Sequence, residues 1–191
     1  MAVALGGLSE VPLRDAVRLL NPKVFALVTT LDAEGRVDAA PFAFVYPISI
    51  DPPLVCLGIT KGKLTVKNIL ERREFVINVV SAGFAQKAVF CEEKSGEPWK
   101  RLERTGLQTE ASKMVRVPRV KESRAVLECI FHELLEPREG DHALVVGRVV
   151  RAECAFMKGG VPDLDRLDYL MHAFGGEFRR VGGEVALERR K

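Results

Sequence analysis

Apolar positions in this chain come in short blocks broken by glycine, proline and charge, and each block has its own period. From Pro12 to Leu20, the residues Leu13, Val17 and Leu20 recur at helical spacing and predict a short amphipathic helix, ended by Asn21-Pro22. Val24 to Leu31 is β-branched and apolar and predicts a strand. Asp32-Ala-Glu-Gly35 makes a hairpin turn in which Gly35 supplies a positive φ, and Val37 to Tyr46 returns as the second strand. Leu54 to Ile59 is a third strand, too uniformly apolar to be half-exposed and therefore central. Thr65 to Glu71 predicts a short helix and Phe75 to Val80 a fourth strand.

Gly83 to Cys91 and Glu97 to Arg104 predict two further helical pieces, the second stopped by Gly106. Gln108 to Val120 is polar, contains Pro118, and reads as a loop or a short strand. Ala125 to Leu135 and His142 to Phe156 predict two long strands joined by Glu136-Pro-Arg-Glu-Gly-Asp141. A helix is expected near Leu164 to His172, followed by a glycine-rich end. The sum is a mainly β chain of about six antiparallel strands with short helices inserted, without the regular alternation that makes a doubly wound sheet. A closed or partly closed barrel disposes of the exposed edges of so many strands. One domain is expected over residues 1–191, with a helical lead at 1–20 and a C-terminal helix and tail at 157–191.

Composition narrows the function little. At 47% hydrophobic and 29% charged, the chain is an ordinary globular one. Its net charge of +3 is too small to suggest nucleic acid, and much of the excess sits near the end, at Arg179, Arg180, Arg189, Arg190 and Lys191. No apolar run is long enough for a membrane span, and Met1 to Leu8 lacks the basic start of a signal peptide, so a cytoplasmic protein is expected. Cys56, Cys129 and Cys154 lie in apolar runs and read as inert thiols, while Glu92 and Glu93 should raise the pKa of Cys91. None has metal-ligand spacing.

The chemistry concentrates between Arg36 and Ile69. There the pattern runs strand, loop, strand, then a short polar loop that opens a helix. The loop carries Lys61, Gly62, Lys63 and Thr65, which is what a phosphate needs: charge, free backbone N–H groups and a hydroxyl at a helix N-terminus. Asn68 follows one turn later and either reaches back to the loop or lies on the helix surface.

Five blocks, in order, resemble the flavin reductase-like family, whose fold is the FMN-binding split barrel. Asp38-Ala-Ala-Pro-Phe-Ala-Phe44 is similar to the strand that runs along the flavin ring, and Ile48-Ser-Ile-Asp-Pro-Pro-Leu-Val55 to the V-S-x-D-P-P connection. Lys63-Leu-Thr-Val-Lys-Asn-Ile69 resembles the K-D-T-x-x-N-I phosphate loop, Glu74-Phe-Val-Ile-Asn78 the F-x-V-N strand, and Gly140-Asp-His-Ala-Leu-Val-Val-Gly147 the G-D-H hairpin. Ala43 stands where the family often has serine, and Leu64 where it often has a helix-capping aspartate. Near the end, Leu167 to Phe178 resembles a Y-x-x-G-G-x-Y region with Phe178 in the tyrosine's place.

Together these readings imply an antiparallel Greek-key split barrel that binds FMN through Ala40, Pro41, Phe42, Ala43, Phe44, Ser49, Thr60, Lys61, Lys63, Thr65, Asn68, His142 and Tyr169. His142 is either a site residue oriented by Asp141 or a hairpin-end cap; Trp99 and Tyr169 either stack on a flavin or pack structurally. No metal and no catalytic side chain are expected, because the cofactor carries the hydride chemistry. No G-x-G-x-x-G lies in a βαβ unit, so NADH or NADPH would have to stack on the open flavin face. The implied activity is an NAD(P)H-dependent flavin reductase, working as a homodimer with flavin near the subunit boundary. A flavin-binding electron carrier or storage protein, and a barrel that has lost its flavin, are the alternatives.

Overall fold

The computed structural model describes residues 7–92 and 96–182. A 3₁₀ helix, Leu13–Leu20, leads into β1 (Lys23–Val24), β2 (Ala26–Leu31), β3 (Val37–Phe42), β4 (Val45–Ser49) and β5 (Leu54–Thr60). Helix α1 (Leu64–Arg72) precedes β6 (Glu74–Val79), and α2 (Ala85–Phe90) and α3 (Arg101–Thr105) follow. Then come β7 (Thr109–Glu110), β8 (Arg119–Val120), β9 (Ala125–Leu135), β10 (His142–Cys154), β11 (Met157–Lys158) and β12 (Val161–Pro162). The described chain closes with α4 (Leu164–Leu167), β13 (Leu170–Phe174) and β14 (Glu177–Arg180).

Seven strands form one antiparallel sheet in the order β3-β2-β6-β9-β10-β5-β4. Its two edges, β3 and β4, are neighbours in sequence, separated only by Ala43 and Phe44. In a flat sheet those edges would lie roughly 29 Å apart, at about 4.8 Å per strand. The chain from Phe42 to Val45 reaches at most about 11 Å. The sheet therefore curls until its edges meet, giving a split barrel. The continuous second strand expected over Val37 to Tyr46 is thus two strands on opposite edges. Pro41 and Pro47 are tolerated because each sits on an edge, where a missing N–H breaks no central ladder.

Burial follows the alternation of side chains. Ala26 and Val28 of β2 face a cluster inside the barrel with Leu57, Ile69, Phe75 and Val145. Phe25 and Leu27 face the other way, into a second cluster with Phe84, Ala88, Cys91 and Leu102 beneath α2 and α3. That double burial explains why Val24 to Val28 reads as an unbroken apolar run.

Two expectations at the chain ends are corrected. The segment Leu164 to His172 is not one helix: α4 stops at Leu167, where Asp168 adopts a left-handed conformation at φ 51°. The chain then enters the β13–β14 hairpin, which pairs with β1 in a separate three-stranded sheet. The lead helix is 3₁₀, buries none of its residues, and exposes Leu13, Val17 and Leu20. Arg18 holds it locally, its guanidinium 3.7 Å from the centre of the Phe174 ring.

Candidate functional site

At the end of β5 the chain turns through Lys61 and Gly62, the latter at φ +77°, a conformation natural for glycine. Lys63 then stands at the N-cap of α1, its N–H donating to Thr60 O at 3.3 Å. Among the described residues no side chain caps this helix, and its first turn holds no acidic residue. The first amides of α1, with the partial positive charge they carry, are left for a ligand. Thr65 is enclosed here at 3% exposure, and Lys63 borders the same space.

That space is a cavity of about 390 Å³. Its opposite wall is the seam of the barrel, Ala40, Pro41, Phe42, Ala43 and Phe44. Phe44 fits because position 58 is glycine: a Cβ there would come within 2.9 Å of Phe44 Cβ. Phe44 O in turn accepts from Gly58 N at 2.8 Å. His142 completes the wall from the start of β10, its ring 5.2 Å from that of Phe44. Its Nδ1 lies 2.6 Å from Asp141 Oδ1 and its Nε2 3.4 Å from Thr60 Oγ1. The hydrogen bond from His142 holds the Asp141 carboxyl below its usual range.

The fold thus brings Ala40, Pro41, Phe42, Ala43, Phe44, Thr60, Lys63, Thr65 and His142 to one cavity. It places four other expected residues elsewhere. Lys61 Nζ donates to Pro137 O at 2.6 Å, tying the loop to the β9–β10 hairpin. Asn68 is 1% exposed and donates to Thr30 Oγ1 at 3.0 Å, inside the structure rather than toward the loop. Ser49 ends β4, paired with Leu54. Tyr169 bridges Ser81 and packs beside Val79 and Ala125, and burial pushes its hydroxyl pKa up to about 12. Trp99 lies under the Arg36 guanidinium, 3.7 Å from it.

The cavity also gathers residues that the sequence did not assign to the site: Gly58, Leu64, Cys91, Glu92 and Arg101. Arg101 comes from α3 and donates through Nη1 to Asp38 Oδ1 of β3 at 2.8 Å. Among the described residues, Asp38 Oδ2 and Arg101 Nε are buried without a hydrogen-bond partner. Burial raises the Asp38 pKa, with the Arg101 charge pulling against it. Cys91 is raised to about 11 with burial as the leading cause; Glu92 is not among the causes, and Glu93 lies outside the described residues.

An enclosed hydroxyl, two cationic side chains and uncapped amides around one concave space suit an anion. The flanking aromatic seam suits a flat ring attached to it.

Residues 19–177 match the family model described as flavin reductase like domain. The Bacillus subtilis protein YwrF is 32% identical over 195 residues, covering 92% of this chain and 94% of that one. An NADH:riboflavin 5'-phosphate oxidoreductase of Streptomyces pristinaespiralis is 29% identical over 137 residues, 72% of this chain and 73% of that one. Among solved structures, nitrilotriacetate monooxygenase component B from Bacillus cereus superimposes with a TM-score of 0.84 at 23% identity, covering 97% of this chain and 100% of that one.

Proposed function

The chain belongs to the flavin reductase-like family, and from that premise we propose that it binds FMN and acts as a flavin reductase fed by NADH or NADPH. The observation that carries this reading is the cavity between the uncapped start of α1 and the seam Ala40–Phe44. The residues present fit the cofactor. Lys63, Thr65 and the first amides of α1 hold the phosphate, through charge-assisted hydrogen bonds with no competing carboxylate in that turn. Backbone along Ala40 to Phe44 borders the ring, and Pro41 offers no N–H there. Arg101, fixed by Asp38, adds a second cation to the wall. When bound, the flavin supplies a hydride acceptor that passes electrons on to an oxidant. The side chains bind, orient and leave one ring face open, so no acid–base dyad is required.

The name of the Streptomyces relative, an NADH-dependent oxidoreductase of riboflavin 5'-phosphate, supports FMN and a nicotinamide donor. We place the working unit as a homodimer. Tyr46, Ile48 and Ile50 are exposed in succession along and just after the edge strand β4, an apolar ridge suited to a second copy.

The test is anaerobic. FMN added to purified protein should bind, and NADH or NADPH should then bleach its absorbance. A yellow protein that neither nucleotide bleaches would be an electron carrier instead, and a protein that ignores FMN would sink the reading.

A further inference from the structure

The lead helix, Leu13–Leu20, is turned inside out. In a 3₁₀ helix residues three apart line up along one side. Asp15 and Arg18 share the side that meets the rest of the chain: Arg18 lies over the Phe174 ring at 3.7 Å and pairs with Asp15 at 2.8 Å. Leu13 and Leu19 line up on a second side, Val17 and Leu20 on the third, and these four are 59% to 91% exposed. A helix packed on its own chain does the reverse and buries its apolar stripe. Eight residues are also long for a 3₁₀ run and short for a helix left to stand in water. Among the described residues nothing covers the two apolar sides, and surface of that kind calls for a partner.

A second bare apolar feature is the ridge Tyr46, Ile48 and Ile50, 42% to 95% exposed. Helix and ridge flank the same residue. Lys23, two residues past the helix's C-cap Asn21, holds its ammonium 5.3 Å from the centre of the Phe44 ring, and Tyr46 lies two residues beyond Phe44. One partner surface can therefore meet both. The exposed side chains present roughly 500 Å² on the helix and 350 Å² on the ridge, together close to the about 800 Å² that each partner gives to a standard-sized interface. Either feature alone falls well short. A two-fold axis repeats every contact, so helix on ridge occurs twice and covers all four features, whereas helix on helix would leave both ridges bare.

We propose that the lead helix is an arm that docks on a second copy of this chain, its apolar sides in one copy covering the Tyr46–Ile50 ridge of the other, and the reverse. That a dimer forms rests on the function proposed above; that the helix is the element lying on the ridge does not follow from it. The arm of one copy then lies beside Phe44 of the other, a residue of the cavity wall.

Oxidative cross-linking of the full chain tests this, with light scattering on the same samples. Val17→Cys combined with Ile48→Cys should give a two-chain band on a non-reducing gel, and so should co-expression of the two single variants. Wild type and each single variant alone should run as one chain. A two-chain mass in solution without cross-linking of the double variant keeps the dimer and overturns the arm. Cross-linking of Val17→Cys alone would set helix against helix and overturn it too. A wild-type mass of one chain removes dimer and arm together, and co-sedimentation of that monomer with phosphatidylcholine vesicles would assign the apolar sides to lipid. A measurement without cysteines uses Val17→Arg with Leu20→Arg. Both side chains are exposed in the single chain, so the variant should fold, and its dimer Kd should rise at least about tenfold. An unchanged Kd overturns the proposal.

Discussion

Arg101 and Asp38 meet 2.8 Å apart with side chains only 17% and 3% exposed, joining α3 to the edge strand that forms the cavity wall. Neither group is fully satisfied among the described residues, where Asp38 Oδ2 and Arg101 Nε have no partner. The pair is therefore sensitive to the loss of one member. Arg101→Gln should lower stability by about 3–5 kcal/mol, because it strands a buried carboxylate, and lower Tm by roughly 6–20 °C. Adding Asp38→Asn to that variant should recover much of the loss. Thermal melts of the two variants check this; equal melting points would show that the carboxylate was not the source of the damage.

Lys63→Ala and Thr65→Ala should each weaken FMN by about tenfold or more, in keeping with charge-assisted hydrogen bonds, and should weaken riboflavin far less. Only FMN carries the phosphate. Fluorescence titration with both flavins gives the comparison, and parallel losses would show that the loop does not read the phosphate.

His142→Ala should retain FMN and change anaerobic reduction by less than about tenfold. The ring is held by Asp141 and packs beside Phe44, a wall position rather than that of an acid in flight. General acid–base catalysis would be worth about 10²–10⁴-fold, so a stopped-flow loss of a hundredfold with the flavin spectrum intact would make His142 a catalytic residue.

Away from the cavity, Glu153 collects Lys113, Arg151 and Arg119, whose hydrogen bonds draw its pKa down from 4.5 to about 2. A carboxyl depressed in the folded state stabilises above its unfolded pKa, and that contribution fades as pH falls through the folded value. Wild type should thus melt higher than Glu153→Gln at pH 7, and the gap should close between about pH 4.5 and pH 2. A gap that is constant with pH would assign the effect to packing.

Ile48→Asp together with Ile50→Asp should convert a dimer to a monomer in light scattering. A wild-type mass of a single chain at micromolar concentration would already remove the dimer from the proposal.

The parts of the site that the sequence revealed are those that lie together along it. Lys63, Thr65 and the seam Ala40–Phe44 fall within one stretch, and local chemistry marked them. Arg101 and Asp38 lie 63 residues apart, and nothing in a short amphipathic helix says which of its cations will be enclosed. Asn68 looked like a loop partner because spacing gives the turn but not which face of α1 packs on β2. The hairpin at the chain end was hidden by the helical spacing of Leu164 and Leu167, which Asp168 terminates in a conformation that Asp tolerates better than most residues. The barrel's two edges could have been read from Pro41 and Pro47, which exclude a central strand on either side of Phe44.

Closing the barrel at Ala43 and Phe44 makes the cavity wall and the last joint of the sheet the same few residues. A ligand lying along that wall meets its full set of partners only when the two edges are together. Occupancy and closure are then one equilibrium, and ligand at a hundred times its Kd should hold the joint shut by about 2.7 kcal/mol. Amide hydrogen exchange would record this as slowing centred on Gly58 N–H, which bonds across the joint to Phe44 O. Amides deep in β6 and β9, which exchange only when the whole sheet comes apart, would then share in the protection through global stability alone.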